Sequence, residues 1–469
     1  MTFSSDYKQN KNHLKEALRI DESFDLICKD TVIGGRNACF FFVDGLTKDE
    51  IMQKLLSGFY TIKETDMPNN AADFSTQQLP YIEVDLNSDP AKTVTSILSG
   101  MTAILVDGYD TAICLDVRTY PSRSVEQPDK EKVLRGSKDG FVETVVFNTA
   151  LIRRRIRDPK LTIEMLSIGN VSHTDVVLCY MEDGVDRVLL ENIRTKLIHV
   201  KANSLSMNQS SLAECLYQRK WYNPFPKYKY TERPDTAAAS ILEGSLVILV
   251  DNSPSAIILP TSLFGIMEEA DDYYLPPITG TYLRLTRFLI STVTFFITPT
   301  FLLLTMYPQW IPDWLSFIQL QEYTNVPLMF QFLILEIAID GLRLAAVNTP
   351  SMLSTPLSII AGLALGEYAV SSGWFNPEAM LYMAFVALSN YTQPSYELGY
   401  ALKFFRILTV ILTGIFGIFG LLGGTALLLL ALLTNHTIDG RRRYLYPLIP
   451  FDWKVLKRQL LRLRRDENS

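Results

Sequence analysis

FLISTVTFFITPTFLLLTMY, residues 288–307, contains no Asp, Glu, Lys or Arg over twenty consecutive positions. At about 1.5 Å per residue, a helix of that length spans the roughly 30 Å hydrocarbon layer of a bilayer. Pro299 predicts a kink within it. On the N-terminal side of Tyr282 charged residues recur every few positions, whereas between residues 288 and 435 they are scarce and long apolar runs follow one another. A composition of 48% hydrophobic and 20% charged residues is explained by that segregation. The predicted fold is therefore an α/β cytosolic region of two related subdomains plus a polytopic α-helical membrane domain, with the border near residues 279–287.

The N-terminal region contains an internal echo. Ile104-Leu105-Val106-Asp107, four residues, then Ala112-Ile113-Cys114-Leu115 is matched by Ile248-Leu249-Val250-Asp251, four residues, then Ala256-Ile257-Ile258-Leu259. Apolar strands joined by turn formers predict a β-hairpin in each case. Upstream of each, an apolar strand ends in Asp-Gly and leads into an amphipathic helix, over residues 39–56 and 176–197. Similar intervals predict two copies of one α/β unit. The division that follows is residues 1–20 as an N-terminal tail, 21–120 and 161–280 as the two subdomains, and 121–160 as a linker and connecting helix. Residues 281–435 form the transmembrane domain and 436–469 a basic cytosolic tail.

Function classes narrow quickly. The net charge of -6 gives no reason to expect a nucleic-acid partner. Arg153-Arg154-Arg155 and Arg157 are expected at the solvated C-terminal end of a helix, where cations complement the helix dipole. Cys28, Cys39, Cys114, Cys179 and Cys215 form no C-x-x-C pair, so neither a zinc site nor a disulfide framework is expected, and a reducing, cytosolic setting fits. The four histidines have no metal-ligand spacing, and no phosphate-binding loop or nucleophile elbow occurs. No enzyme, cofactor or metal is expected. Gly34-Gly35, Asp44-Gly45 and Asp183-Gly184 are expected to be turns.

In the membrane region, Arg284 and Arg287 precede the first segment and should hold its start in the cytosol. The second segment, residues 326–344, carries Glu336, Asp340 and Arg343 at i, i+4 and i+7 on one helical face. Charge at that depth is costly, so these three are expected to face protein or a water-filled cavity and pair with one another, as an ion pathway or as a packing salt bridge. The third segment, residues 351–368, aligns Ser351, Thr355, Ser358, Gly362 and Gly366 in one small-residue stripe, suited to a narrow pore or to a helix-packing seam. Lys403 and Arg406 follow a fourth segment, residues 378–393, and are expected as inner-side charges at the start of a fifth, residues 404–435. The fifth is too long for one crossing and soft at its glycines. A cytosolic N-terminal domain and a cytosolic basic tail require an even number of crossings. Either one segment is re-entrant or the fifth folds into two legs. Residues 454–465 are patterned as an amphipathic helix suited to an anionic leaflet.

Asn148-Thr149-Ala150-Leu151-Ile152-Arg153-Arg154-Arg155-Ile156 with Asp158-Pro159, then Glu232-Arg233-Pro234-Asp235 and Leu242-Glu243-Gly244, resemble signature segments of the GerA family of spore germinant-receptor A subunits. The resemblance runs from about residue 21 through the fifth segment. It implies the inner membrane of the spore, a homo-oligomer, with pentamers as the expected form, and cation conduction when germination is triggered. It also implies that residues 351–368 line the pore. Pro276-Pro277-Ile278-Thr279-Gly280-Thr281-Tyr282 and residues 348–356 resemble a branch of the family expected to work with a small membrane partner and amplify ion release. Other members act beside further germinant-receptor subunits.

Overall fold

The computed structural model describes residues 2–4, 6–79, 81–118, 131, 136–169, 171–200, 207–217, 221–321, 324–348, 368–438 and 440–462. The chain divides into two compact units, Met1–Gln218 with Tyr228–Pro260, and Arg219–Lys227 with Thr261–Ser469.

The first unit is a duplication in which each α-helix and strand of one half has a counterpart in the other. Its first half runs α1 (Tyr7–Leu18), β1 (Leu26–Ile33), β2 (Arg36–Val43), α2 (Asp49–Phe59), α3 (Ala71–Gln77), β3 (Val84–Asn87), α4 (Pro90–Leu98), β4 (Thr102–Val106) and β5 (Ala112–Leu115). The second half repeats that order as α5 (Val145–Arg155), β6 (Leu161–Ile168), β7 (Thr174–Met181), α6 (Arg187–Ile198), α7 (Asn208–Leu216), β8 (Lys229–Thr231), α8 (Pro234–Leu242), β9 (Leu246–Val250) and β10 (Ala256–Leu259). The sheets are antiparallel, with orders β1-β2-β4-β5-β3 and β6-β7-β9-β10-β8, so strand n of one corresponds to strand n+5 of the other. The two hairpins read from the sequence are β4–β5 and β9–β10.

Strands β4 and β9 are buried at every position because helices cover both faces of each sheet. Ala103 and Leu105 face α1 and α4, while Ile104 and Val106 join Leu55, Phe59 and Phe74 of α2 and α3. In the second sheet Val247 and Leu249 pack under α5 and α8. Such strands read as uninterrupted apolar runs rather than alternating ones.

Two boundaries differ from expectation. Residues 1–20 are not a tail: α1 is N-capped by Asp6 and buries Leu14 and Leu18 in the first core. The connecting helix α5 occupies the same place in the second half that α1 occupies in the first. Their sequences do not echo each other: α1 buries only Asn10, Leu14 and Leu18 along one face, whereas α5 is buried continuously from Asn148 to Arg153. A third shared device ends α4 and α8, where Gly100 (φ +99°) and Gly244 (φ +90°) take the left-handed conformation after the last turn. A Cβ on Gly244 would also stand 2.6 Å from the Gly184 carbonyl oxygen.

Arg153 corrects the solvated reading of the arginine cluster. It is fully buried, and its guanidinium donates to both carboxylate oxygens of Asp25 (3.0 and 3.3 Å) and to the carbonyls of Asp158 and Leu161. Ser23 and Phe24 add hydrogen bonds to the backbone of Ile163. Arg153 therefore fastens the strand leading into the first sheet onto the second. Arg155 pairs with Asp139 at 2.6 Å, whereas Arg154 and Arg157 are exposed as expected.

The second unit is helical. Short α9 (Leu263–Ile266) and α10 (Asp271–Tyr274) lead into α11 (Pro277–Met306), followed by α12 (Leu328–Asn348), α13 (Pro377–Tyr391), α14 (Tyr396–Phe416), α15 (Ile418–Leu433) and α16 (Trp453–Leu460). Among the described residues, α11 and α14 are long and apolar enough to cross a membrane, and α15 is a shorter apolar helix. Helix α11 begins at Pro277, well ahead of the apolar run, so Arg284 and Arg287 precede that run yet lie within the helix, buried against Asp272 of α10, with Arg284 also donating to the Gln459 carbonyl at 3.0 Å.

The fifth apolar segment is two helices. Gly417, at φ +59° and ψ -131°, breaks the chain between α14 and α15, which then fold back along each other. The legs touch through glycine: a Cβ on Gly420 would overlap the Leu412 carbonyl oxygen, and one on Gly424 would overlap Thr409. We expect Gly420→Val to cost at least about 1–3 kcal/mol. Gly423→Ala, where a Cβ meets nothing within 4 Å, should leave stability unchanged. Thermal melts of the two variants in detergent check this.

Candidate functional site: a buried charge cluster in the helical unit

Helix α12 holds Glu336, Asp340 and Arg343 along one side, and α14 holds Lys403 and Arg406 one turn apart, two turns beyond its N-terminus. Helix packing brings these two sets together. Arg406 is fully buried and donates through Nε (2.9 Å) and Nη2 (2.5 Å) to Oε1 of Glu336. Its Nη1 reaches the Thr294 carbonyl of α11 at 3.5 Å. Lys403 bridges both carboxylates, with Nζ 3.2 Å from Glu336 Oε2 and 2.5 Å from Asp340 Oδ2. Two carboxylates and two cations give a cluster of zero net formal charge. Three of the four groups are buried, and the Asp340 side chain is 35% exposed.

Arg343 does not join this cluster, contrary to the expected pairing. Its guanidinium carbon lies 4.7 Å from the ring centre of Tyr396, 5.4 Å from Tyr400 and 5.7 Å from Tyr391. The physical reason is that Lys403 already occupies Asp340, while Arg343 stands nearly a turn further along α12, where three tyrosines offer their ring faces. A cation among aromatic rings gains about 0.5–2 kcal/mol, depending on desolvation.

Sequence reasoning missed the partners because Lys403 and Arg406 stand just ahead of a long apolar run and look like anchors at its end. The available signal was numerical: two acids four residues apart in one apolar segment and two bases three apart near another. A second polar contact also escaped notice. Gln331 of α12 is fully buried and exchanges hydrogen bonds with Asn376, Nε2 to Oδ1 at 2.6 Å and Asn376 N to Oε1 at 2.8 Å. Ser291 of α11 meets Gln393 at 2.8 Å. The expected pore stripe, Ser351, Thr355, Ser358, Gly362 and Gly366, lies outside the described residues.

A family model for the Bacillus/Clostridium GerA spore germination protein matches residues 12–468. The chain belongs to the GerA family. Stage V sporulation protein AF of Bacillus subtilis (strain 168) is 36% identical to it over 455 residues, covering 97% of this chain and 92% of that protein. Spore germination protein GerLA of Bacillus cereus is 29% identical over 449 residues, covering 94% and 90%. Among solved structures, the N-terminal domain of the A subunit of the Bacillus megaterium spore germinant receptor GerK3 aligns at 24% identity with a TM-score of 0.41, covering 55% of this chain and 96% of that one.

The segments singled out above for their resemblance to the family are architectural in this chain. Asn148 is fully buried and clips the Val142 backbone on both sides, accepting from its N–H at 2.8 Å and donating to its carbonyl at 2.6 Å. Arg153 joins the two halves of the first unit. Arg233 is buried and grips Asp235 at 2.6 Å and the Ser137 carbonyl at 3.1 Å, just where Pro234 opens α8. Gly244 closes the same helix.

Proposed function

We propose that this chain is a membrane subunit of a spore-germination ion channel, an oligomer that releases monovalent cations and amplifies the germination response. The observation that carries the proposal is the Glu336–Arg406–Lys403–Asp340 cluster. Ionisable groups buried between long apolar helices are rare, and in membranes they mark ion pathways and gates. Family membership supports spore germination as the setting, and relatives of nearly full coverage include a sporulation protein and a germination protein.

A membrane environment accounts for the apolar surface of the second unit. Phe416, Phe419, Leu422 and Leu430 are each more than half exposed, which water would penalise and lipid would not. The fold-back at Gly417 supplies a sixth leg if residues 351–368 also cross. An even number of crossings, in this reading, leaves the α/β region and the basic tail both in the cytosol, at a spore inner membrane. In this reading Ser351, Thr355, Ser358, Gly362 and Gly366 line the pore. The charge cluster is then the gating contact between α12 and α14, and a small membrane partner or other germinant-receptor subunits complete the complex.

A second reading is favoured by the cluster's neutrality. Four groups that satisfy one another also suit a static lock in a non-conducting scaffold of the receptor cluster. Cation efflux from vesicles carrying the purified chain separates the two. Gly362→Leu should reduce efflux by about tenfold or more with oligomer size unchanged. Efflux equal to that of the parent would overturn the pore assignment.

A further inference from the structure

The first unit brings together three ligand-type side chains that the sequence keeps apart. Cys28 lies on β1 and Cys39 on β2, and the hairpin register sets Asp30 directly opposite Cys39. The two sulfurs and a carboxylate oxygen of Asp30 all lie within 4.8 Å of one another. Tyr7 of α1 packs over the same region, and Lys11 of α1 meets Asp30 at 2.5 Å. The set runs from core to solvent: Cys39 is buried, Cys28 is partly buried, and the Asp30 side chain is 63% exposed. At the exposed end of the set, Asp30 lines an open cavity of about 720 Å³ with Tyr7, Lys11, Asn37 and Asp107, so water reaches the carboxylate side of the three ligands.

We propose that Cys28, Cys39 and Asp30 form a binding site for a thiophilic divalent cation of the zinc class, with a water from the cavity as fourth ligand. The donor set decides the class: two thiolates with one carboxylate suit a borderline-soft, tetrahedral ion, whereas calcium or magnesium would require oxygen donors throughout. A disulfide is the competing use of two cysteines, and the register disfavours it. Cys28 faces Phe41 and Cys39 faces Asp30, so the cysteines are diagonal neighbours. Diagonal residues in an antiparallel pair stand about 7–8 Å apart, beyond the roughly 4.4–6.8 Å between Cα atoms that an S–S bond usually takes. Two metal–sulfur bonds of about 2.3 Å at a tetrahedral angle hold sulfurs about 3.8 Å apart, a separation inside the 4.8 Å envelope of the three ligand atoms. Charge also balances. Two thiolates and a carboxylate around a divalent ion leave one negative charge, and Lys11 stands beside it.

The test uses the full-length chain in detergent with exposed Cys215 changed to serine, Co²⁺ as spectroscopic probe and Zn²⁺ as competitor. One equivalent of Co²⁺ should produce a thiolate-to-metal charge-transfer band that Zn²⁺ removes, and Cys28→Ser should abolish it. Asp30→Asn alters an exposed side chain, so the fold is retained, and it should weaken Zn²⁺ binding by about tenfold or more. Absence of the band in the parent, its persistence in Cys28→Ser, or unchanged Zn²⁺ affinity in Asp30→Asn would overturn the site.

Discussion

Replacing Arg406 by methionine is expected to lower the stability of the detergent-solubilised chain by about 3–5 kcal/mol, the cost of removing one partner from a buried ion pair. Glu336 accepts from Arg406 at 2.5 and 2.9 Å and would be left with Lys403, which it shares with Asp340. The loss comes from a carboxylate stranded away from water, not from the absent contact alone. The double variant Glu336→Gln with Arg406→Met should therefore recover most of the loss, because it removes the stranded charge. A melting temperature unchanged by Arg406→Met would show that the cluster is solvated.

A comparable loss, again about 3–5 kcal/mol, is expected for Arg153→Ala in the first unit. Arg153 and Asp25 are both buried, and the arginine also satisfies two carbonyls and approaches Ser23. Arg153→Lys should not rescue it, since an ammonium cannot reproduce the forked contact to both carboxylate oxygens. Arg157→Ala, on an exposed side chain of the same basic run, should change stability by about 0.5 kcal/mol or less. Chemical denaturation monitored through the α/β signal distinguishes the three. Equal effects of Arg153→Ala and Arg157→Ala would return the cluster to a solvated role.

The two predictions mark where the sequence was informative and where it was not. The duplicated hairpins were legible because β4 and β9 are covered on both faces, and a strand so placed has to be apolar at each position. The roles of α1 and α5 as the opening helix of each copy were not, since α1 is buried on one face and α5 nearly all round, and their sequences do not match. Arg153 and Arg157 look alike in sequence. They differ only because the segment 23–25 hydrogen-bonds to β6 and closes over one of them. Glu336, Asp340 and Arg343 were found from helical spacing, yet their partners were assigned within one helix. Pairing between helices depends on packing, which put Lys403 and Arg406 between the carboxylates and turned Arg343 to the tyrosines. Cys28, Cys39 and Asp30 were dispersed for the same reason, being joined by strand register rather than by a local motif.

The central claim, that the helical unit conducts ions, is tested most directly by recording from planar bilayers containing the purified oligomeric chain. The account predicts discrete, cation-selective current steps that Gly362→Leu suppresses. A silent bilayer, with oligomers intact by cross-linking before and after recording, would contradict it and leave the chain as a scaffold.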